Sequence, residues 1–177
     1  MKIKKKNKGK WSKRYENTNF TFWNPWSYSI KMSTANCKSL NIDITGLTEL
    51  HNNQKKSQFQ GKNWICSELA NVKDGKCTDP AAGVAILLSN RMARNVLSKG
   101  HVGTRIVWVR LRGPICNLFV VVVYVSHKGR QTSPTASDII QELNKLLMTV
   151  PKQDYIVLGG DFNCQLQRHA TCPRMYW

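Results

Sequence analysis

Residues 117–125 read NLFVVVVYV and form the most strand-like stretch of the chain. β-Branched residues dominate it, and apolar side chains face both sides of the predicted strand, which places it inside a sheet covered on both faces. RIVWVRL (105–111) is a second strand candidate, and Gly113 and Pro114 mark a turn between the two. The pattern predicts an antiparallel hairpin at the centre of a sheet.

A helix and a further strand follow this hairpin. Within residues 135–149 apolar side chains recur at the helical spacing i, i+1, i+4, i+7 and i+8, namely at Ile139, Ile140, Leu143, Leu146 and Leu147. Pro151 ends the helix, and YIVLGG (155–160) is the next strand. Strand, helix and strand in this order predict a right-handed crossover and a layered α/β fold.

Polar side chains stand at the carboxyl ends of three predicted strands. Glu49 follows IDITGL (42–47), Tyr124 closes the strand at 117–125, and Asp161 and Asn163 follow YIVLGG. Ligand sites of α/β folds lie at such strand ends, and Mg²⁺ is commonly held by one or two carboxylates. Two glycines before Asp161 also fit a tight turn made of ordinary turn residues.

Four motifs then carry a resemblance to a known family. GLTE (46–49), GVAILLS (83–89), VVVVY (120–124) and GGDFN (159–163) look like successive motifs of the endonuclease/exonuclease/phosphatase family. Across residues 42–167 the sequence is most similar to the endonuclease part of non-LTR retrotransposon polyproteins and their craniofacial-development-like relatives. The resemblance implies a DNase-I-like, four-layer α/β sandwich and hydrolysis of nucleic-acid phosphodiesters assisted by Mg²⁺ or Mn²⁺.

The resemblance also implies a role for individual residues. Glu49 matches the metal-binding glutamate, and Asp161 matches the aspartate that binds metal and orients or deprotonates the attacking water. Asn163 matches the asparagine that holds the scissile phosphate, and Tyr124 the tyrosine that contacts it as negative charge builds in the transition state.

Asn36, in STANCKSL, resembles the first-strand asparagine that lies beside the metal in the family. Only residues 37–41 separate it from the strand that begins at Ile42, whereas a parallel crossover needs a dozen or more residues. A loop residue at the end of an N-terminal arm is the alternative interpretation.

The family continues past GDFN with the second half of the sandwich and an aspartate–histidine pair. Here only His169 is available, without an SDH-like motif around it. We therefore expect the first half of the fold only, an exposed apolar sheet face, and weak or no catalysis. The alternatives are a nucleic-acid-binding remnant without catalysis and a transposon fragment without selected function.

The charge predicts an anionic partner. The chain has 27 Lys and Arg against 10 Asp and Glu, and nine of the basic residues lie in residues 1–33 with one acid. We interpret residues 1–33 as a disordered basic arm, 34–167 as the partial catalytic domain and 168–177 as an irregular tail. Arm and core are both expected to bind nucleic acid, DNA in preference.

Cysteine usage and hydropathy bear on the compartment. Six cysteines occur without a secretory signal or a CxxC pair, which favours free thiols in an intracellular protein, and the lysine block favours the nucleus. The longest apolar run, Leu118–Val125, is far shorter than the roughly 20 residues that cross a bilayer. The sequence predicts no membrane association.

Overall fold

Two four-stranded β-sheets, packed face to face, make up the fold. The computed structural model describes residues 18–24, 41–50, 63–68, 72–73, 76–77, 82–126 and 134–163. The elements in these ranges are β1 (Phe20–Trp23), β2 (Ile44–Leu47), β3 (Trp64–Cys66), β4 (Val72–Lys73), β5 (Lys76–Cys77), β6 (Ala85–Leu88), α1 (Asn90–Ala93), β7 (Val96–Val102), β8 (Ile106–Leu111), β9 (Leu118–Tyr124), α2 (Ala136–Met148) and β10 (Tyr155–Asp161).

The strand order confirms the predicted α/β sandwich. The first sheet has the order β1-β2-β6-β3 and the second the order β10-β9-β8-β7, while β4 and β5 form a separate hairpin. β8 and β9 pair antiparallel with Val109 opposite Val120, as the sequence predicted. β10 lies parallel to β9 with α2 as the crossover between them.

Three layers of apolar side chains follow from this arrangement. Between the sheets lies the main core, which includes Ile44, Ile86, Leu88, Val107, Val109, Val120 and Val122. The opposite face of the second sheet is covered by α2, whose Ile139 and Leu143 are buried against it. Outside the first sheet a smaller cluster forms around Leu47, Leu50 and Trp64. Strands buried on both faces explain the continuous apolar runs of the sequence.

Helix α2 begins and ends where its sequence dictates. The Thr135 side chain accepts a hydrogen bond from the Asp138 backbone N–H, and the Asp138 side chain accepts one from Thr135, which completes a capping box. Of the predicted apolar stripe, Ile139 and Leu143 are buried, whereas Ile140 is 39% exposed. Successive helical residues lie about 100° apart, so Ile139 and Ile140 cannot both point at the sheet.

The prediction of a disordered basic arm is wrong at residues 20–23. These residues form β1, which runs parallel to β2 with Phe22 opposite Gly46. This four-residue strand follows the lysine-rich residues 2–14, and its Phe22 packs against the main core. Residues 24–43 connect β1 to β2 and are long enough for a parallel crossover. The remainder of residues 1–33 lies outside the described ranges.

The position of the Phe22 ring explains why residues 46 and 159 are glycines. A Cβ built on Gly159 would lie 2.2 Å from the Phe22 ring, and one on Gly46 would lie 2.6 Å from it. Gly159 and Gly160 both lie within β10, so they do not form the tight turn that the sequence indicated. Gly160 has φ 137°, and a Cβ there would lie 1.9 Å from the Val123 carbonyl oxygen. Only glycine fits at positions 159 and 160.

The side of the sandwich formed by β1 and β10 exposes apolar groups. Among the described strands β1 pairs with β2 alone and β10 with β9 alone. Tyr155 is 70% exposed, and Ile156 and Leu158 are also exposed. A groove of about 410 Å³ next to them is lined by apolar residues that include Phe20 and Pro114. The sequence predicted an exposed apolar sheet face, but the two sheets cover each other's inner face, and the exposed apolar groups lie at this edge instead.

A buried ion pair fixes the start of β10. The Asp154 side chain is fully buried, and its carboxylate accepts hydrogen bonds from Arg110 Nε at 2.6 Å and Nη2 at 3.1 Å. Asn117 Nδ2 donates to the same carboxylate at 3.4 Å. The hydrogen bonds from Arg110 hold the pKa of Asp154 below its ordinary value.

Replacing Gly159 by Ala should destabilise the fold through the Phe22 ring. We expect a loss of about 1–3 kcal/mol in the free energy of unfolding, typical of overpacking. In a double-mutant cycle measured by urea denaturation, Phe22→Ala should cost less in the Gly159→Ala background than in the wild type. Ile115→Ala, at a 93% exposed position, serves as the additive control. Additivity of Phe22→Ala with Gly159→Ala would contradict this packing.

Asp154→Asn should destabilise the chain at neutral pH and much less in acid. Because the folded pKa of Asp154 is lowered, its contribution is present above the ordinary pKa of 3.8 and is lost as pH falls through the folded value. The urea midpoints of wild type and Asp154→Asn should therefore converge below about pH 4. Glu142→Gln on the exposed face of α2 is the control, and a gap that does not narrow in acid would contradict the assignment.

Candidate active site

The carboxyl ends of β1, β2, β9 and β10 meet at one end of the sandwich. Asp161 ends β10 directly opposite Tyr124, which ends β9 in the same parallel ladder. Glu49 follows β2 by two residues and is hydrogen-bonded to Tyr124. Asn24, the first residue after β1, reaches Asp161. The fold thus brings four polar side chains from four strands to one place.

Asp161 is oriented by two donors. Asn24 Nδ2 donates to its Oδ2 at 3.3 Å, and the backbone N–H of Asn163 donates to its Oδ1 at 3.0 Å. Asn163 is in turn held through its side chain, whose Nδ2 donates to the Val125 carbonyl at 2.8 Å. The Asp161 carbonyl accepts from the Val125 N–H, so the ladder continues past the strand end. The carboxylate therefore has a defined direction.

Tyr124 lies between a carboxylate and a guanidinium. Its side chain is buried, and the guanidinium carbon of Arg105 lies 4.6 Å from the centre of its ring. Burial, followed by the hydrogen bond to Glu49, raises the pKa of Tyr124 to about 12 against a smaller opposing effect of Arg105. At neutral pH the phenol is protonated and acts as a hydrogen-bond donor.

The backbone is strained at two of these residues. Glu49 has φ 54° and Asn163 has φ 44°, both in the left-handed region. Asparagine adopts this region fairly readily, but glutamate does so only when the surrounding structure holds it. Such conformations concentrate at functional sites because neighbouring contacts must over-determine them. Here Glu49, with its left-handed backbone, is hydrogen-bonded to Tyr124.

Of the residues predicted from sequence, Glu49, Tyr124, Asp161 and Asn163 lie together at this end. Asn36 and His127 lie outside the described residues. The strand-end asparagine that contacts Asp161 is Asn24, which the sequence analysis assigned to the arm. The available signal was the alternation Phe20, Thr21, Phe22 leading to an asparagine, as at the other strand ends. Arg105 was also missed, because it precedes a strand instead of following one.

The comparisons with known proteins agree with this geometry. Residues 17–174 match the family model described as the endonuclease/exonuclease/phosphatase family. The chain belongs to this family. The match begins just before β1, so it includes the strand that the sequence analysis had placed in the arm. None of the curated proteins that were compared matches the chain.

Solved structures of the endonuclease/exonuclease/phosphatase type share the fold. D. rerio TDP2 complexed with a single-strand DNA product has a TM-score of 0.56 at 10% identity, over 84% of this chain and 61% of that one. The endonuclease domain of TRAS1, a telomere-specific non-LTR retrotransposon, has a TM-score of 0.53 at 12% identity, over 82% and 60%. A Leptotrichia buccalis family protein has a TM-score of 0.52 at 14% identity, over 83% and 67%. The chain thus spans about three fifths of the TDP2 and TRAS1 chains that it matches.

The donors at this site fit a hard divalent cation, on which family members generally depend. Glu49 and Asp161 supply carboxylates, and the buried Oδ1 of Asn24 has no hydrogen-bond partner within the described part of the chain. Oxygen donors of this kind, completed by water and phosphate, suit Mg²⁺. No group of three or more His, Cys, Asp or Glu side chains with metal-binding geometry occurs among the described residues.

Two further observations concern the cysteines and the membrane. Cys66 and Cys116 are free thiols, and burial raises the pKa of Cys66 to about 11. Within the described residues no helix has the length and apolarity needed to span a bilayer.

Proposed function

We propose that this chain carries the metal-binding part of a phosphodiester-hydrolysing site that acts on nucleic acid. The observation that supports it most strongly is the convergence of Asn24, Glu49, Tyr124 and Asp161 at four neighbouring strand ends. Four non-contiguous segments deliver acidic, amide and phenol groups to one place, and two of the segments carry backbone strain there. A structural role alone would not require this combination.

Glu49 and Asp161 are the residues that would hold the cation. Mg²⁺ or Mn²⁺ bound there would offset charge on a phosphate oxygen and make a bound water more acidic. Asp161 has one oxygen directed by Asn24 and the other by the Asn163 N–H, so its carboxylate is set to orient a water for attack on phosphorus. Positioning of this kind provides much of the rate in phosphoryl transfer.

Tyr124 and Asn163 would contact the phosphate. The high pKa of Tyr124 keeps its one hydroxyl hydrogen in place, and the hydroxyl would turn that hydrogen from Glu49 to a phosphate oxygen that gains charge in the transition state. Asn163 already donates through Nδ2 to Val125, and an amide nitrogen has a second hydrogen to give. Both groups are held before substrate arrives.

The charge supports nucleic acid as the substrate class. The formal net charge of +17 favours a polyanion, since each phosphate contact releases condensed counterions. Among the solved structures of the same fold, one is a retrotransposon endonuclease domain and another holds a single-strand DNA product. We propose DNA as the preferred substrate of this site.

Divalent-cation binding tests the site directly. Mn²⁺ titrated into the purified chain and followed by electron paramagnetic resonance should show one bound ion, displaced by excess Mg²⁺. Glu49→Ala and Asp161→Ala should each abolish this binding, whereas Glu142→Ala on the exposed face of α2 should leave it unchanged. Mn²⁺ binding that survives both site variants would refute the proposed function.

The same titration distinguishes the contributions of Asn24 and Asn36 to Mn²⁺ binding. Because Asn24 orients Asp161 and presents a free amide oxygen, Asn24→Ala should weaken Mn²⁺ binding by about 10- to 100-fold, the usual effect of losing a group that orients a ligand. Asn36→Ala should have no effect. The opposite ranking would support the role that the resemblance implies for Asn36.

Catalysis by the 177-residue chain should be slow. The aspartate–histidine pair that the resemblance implies has no counterpart in the described site, and losing one preorganised group commonly costs about 10²–10³ in rate. We expect no Mg²⁺-dependent nicking of supercoiled plasmid above background. Nicking that disappears on chelation and in both Glu49→Ala and Asp161→Ala would show that the chain is a competent nuclease.

Binding of nucleic acid without cleavage is the second candidate function, and the basic excess favours it. Residues 1–16 contain eight basic side chains and one acid and lie before β1, so they can be removed without deleting a strand. The deletion should weaken binding of duplex DNA in metal-free buffer and flatten its dependence on salt. Fluorescence anisotropy at several salt concentrations measures both effects, and Glu49→Ala should bind like the full chain. An unchanged salt slope would assign the contact to the core.

A further inference from the structure

We propose that Arg105 is a positioning residue of the candidate active site, which holds the Tyr124 ring in place by stacking against it. The proposal concerns the placement of Tyr124. Its consequence for catalysis rests on the proposed function above.

The burial of Arg105 is the first observation. Only 2% of the residue is exposed, and arginine is rarely buried to this degree. It is the last residue before β8, at the end of the sandwich where Glu49, Tyr124 and Asp161 converge. A guanidinium remains charged at any pH of interest, so a positive charge is enclosed at this site.

The contacts of Arg105 distinguish it from two other arginines of the described structure. Arg91 is bonded to Asp43 beside α1, and Arg110 is bonded through two nitrogens to Asp154 at the start of β10. Both of those pairs join elements away from the candidate site. Arg105 lies at the candidate site and places its guanidinium carbon 4.6 Å from the centre of the Tyr124 ring, which is a cation–π distance.

Backbone and side chain act together on Tyr124. The carbonyl oxygen of Arg105 accepts a hydrogen bond from the Tyr124 N–H at 2.9 Å, so the two residues are adjacent in the β8–β9 ladder. The guanidinium covers one face of the ring, and Arg105 and Glu49 both lie within reach of the hydroxyl. A planar guanidinium can stack and donate a hydrogen bond at the same time, which a lysine ammonium does less well. The ring is thereby confined beside Asp161.

The experiment observes Tyr124 directly. The full chain is labelled with 3-fluorotyrosine, and among the signals of its five tyrosines Tyr124 is identified by the signal missing in Tyr124→Phe. Arg105→Met removes charge and stacking plane, Arg105→Lys keeps the charge, and Arg94→Met removes an exposed arginine as the matched control. Spectra are recorded at neutral pH without metal.

We expect Arg105→Met and Arg105→Lys to shift or broaden the Tyr124 fluorine signal while the other four stay unchanged. Arg94→Met should leave all five in place. A folded Arg105→Met chain with the wild-type Tyr124 signal would overturn the proposal. If that variant does not fold, a wild-type Tyr124 signal in Arg105→Lys would overturn the stacking instead. A merely structural role would move several signals together, and that result also counts against it.

This readout is independent of the proposed function. Mn²⁺ binding by the wild-type chain tests the metal site, and the fluorine signal tests the placement of Tyr124. A selective shift without Mn²⁺ binding would retain the role of Arg105 and refute the metal site. Mn²⁺ binding with a wild-type Tyr124 signal would support the metal site and refute the role of Arg105.

Discussion

The parallel pairing of β9 with β10 is the constraint on which the candidate site depends. It sets Asp161 opposite Tyr124, because seven consecutive residue pairs from Leu118 and Tyr155 onward keep one register. A slip of one residue would turn the side chains of β10 to the other face of the sheet. The Arg110–Asp154 ion pair lies at the start of this ladder and the site lies at its end. Helix α2 packs over the same strands and completes the crossover.

The site also depends on the contact between the two sheets. Phe22 from β1 lies against Gly46 and Gly159, one glycine from each sheet, and this close approach brings the end of β1 to the end of β10. Asn24 reaches Asp161 as a consequence. A side chain at either glycine would push the sheets apart at this point. The glycines of GGDFN therefore serve packing, and their effect on the acidic residue is indirect.

Buried and strained groups accumulate at this end of the molecule. Arg105 is enclosed, Glu49 and Asn163 have left-handed backbones, and the Asn24 amide oxygen lacks a partner in the described structure. Each feature costs stability by itself, and the continuous apolar core between the sheets offsets them together. At the opposite end Asn41, before β2, also has a left-handed backbone, but the buried Asp154 is paired with Arg110 and Asn117. The difference in pairing distinguishes the proposed active end from the other end.

The sequence by itself determined the local elements, because strand and helix periodicity is written in neighbouring residues. It predicted the β8–β9 hairpin, α2, β10 and the polar residues at three strand ends, and its four ordered motifs indicated the family. It failed at β1, where four strand residues lie within polar and basic composition, and it missed Asn24. Only the tertiary structure decided those points, since Asn24 and Asp161 are 137 residues apart and meet through sheet packing. The placement of Arg105 against Tyr124 was decided in the same way, because a stacking partner across two strands leaves no periodic signal in the chain.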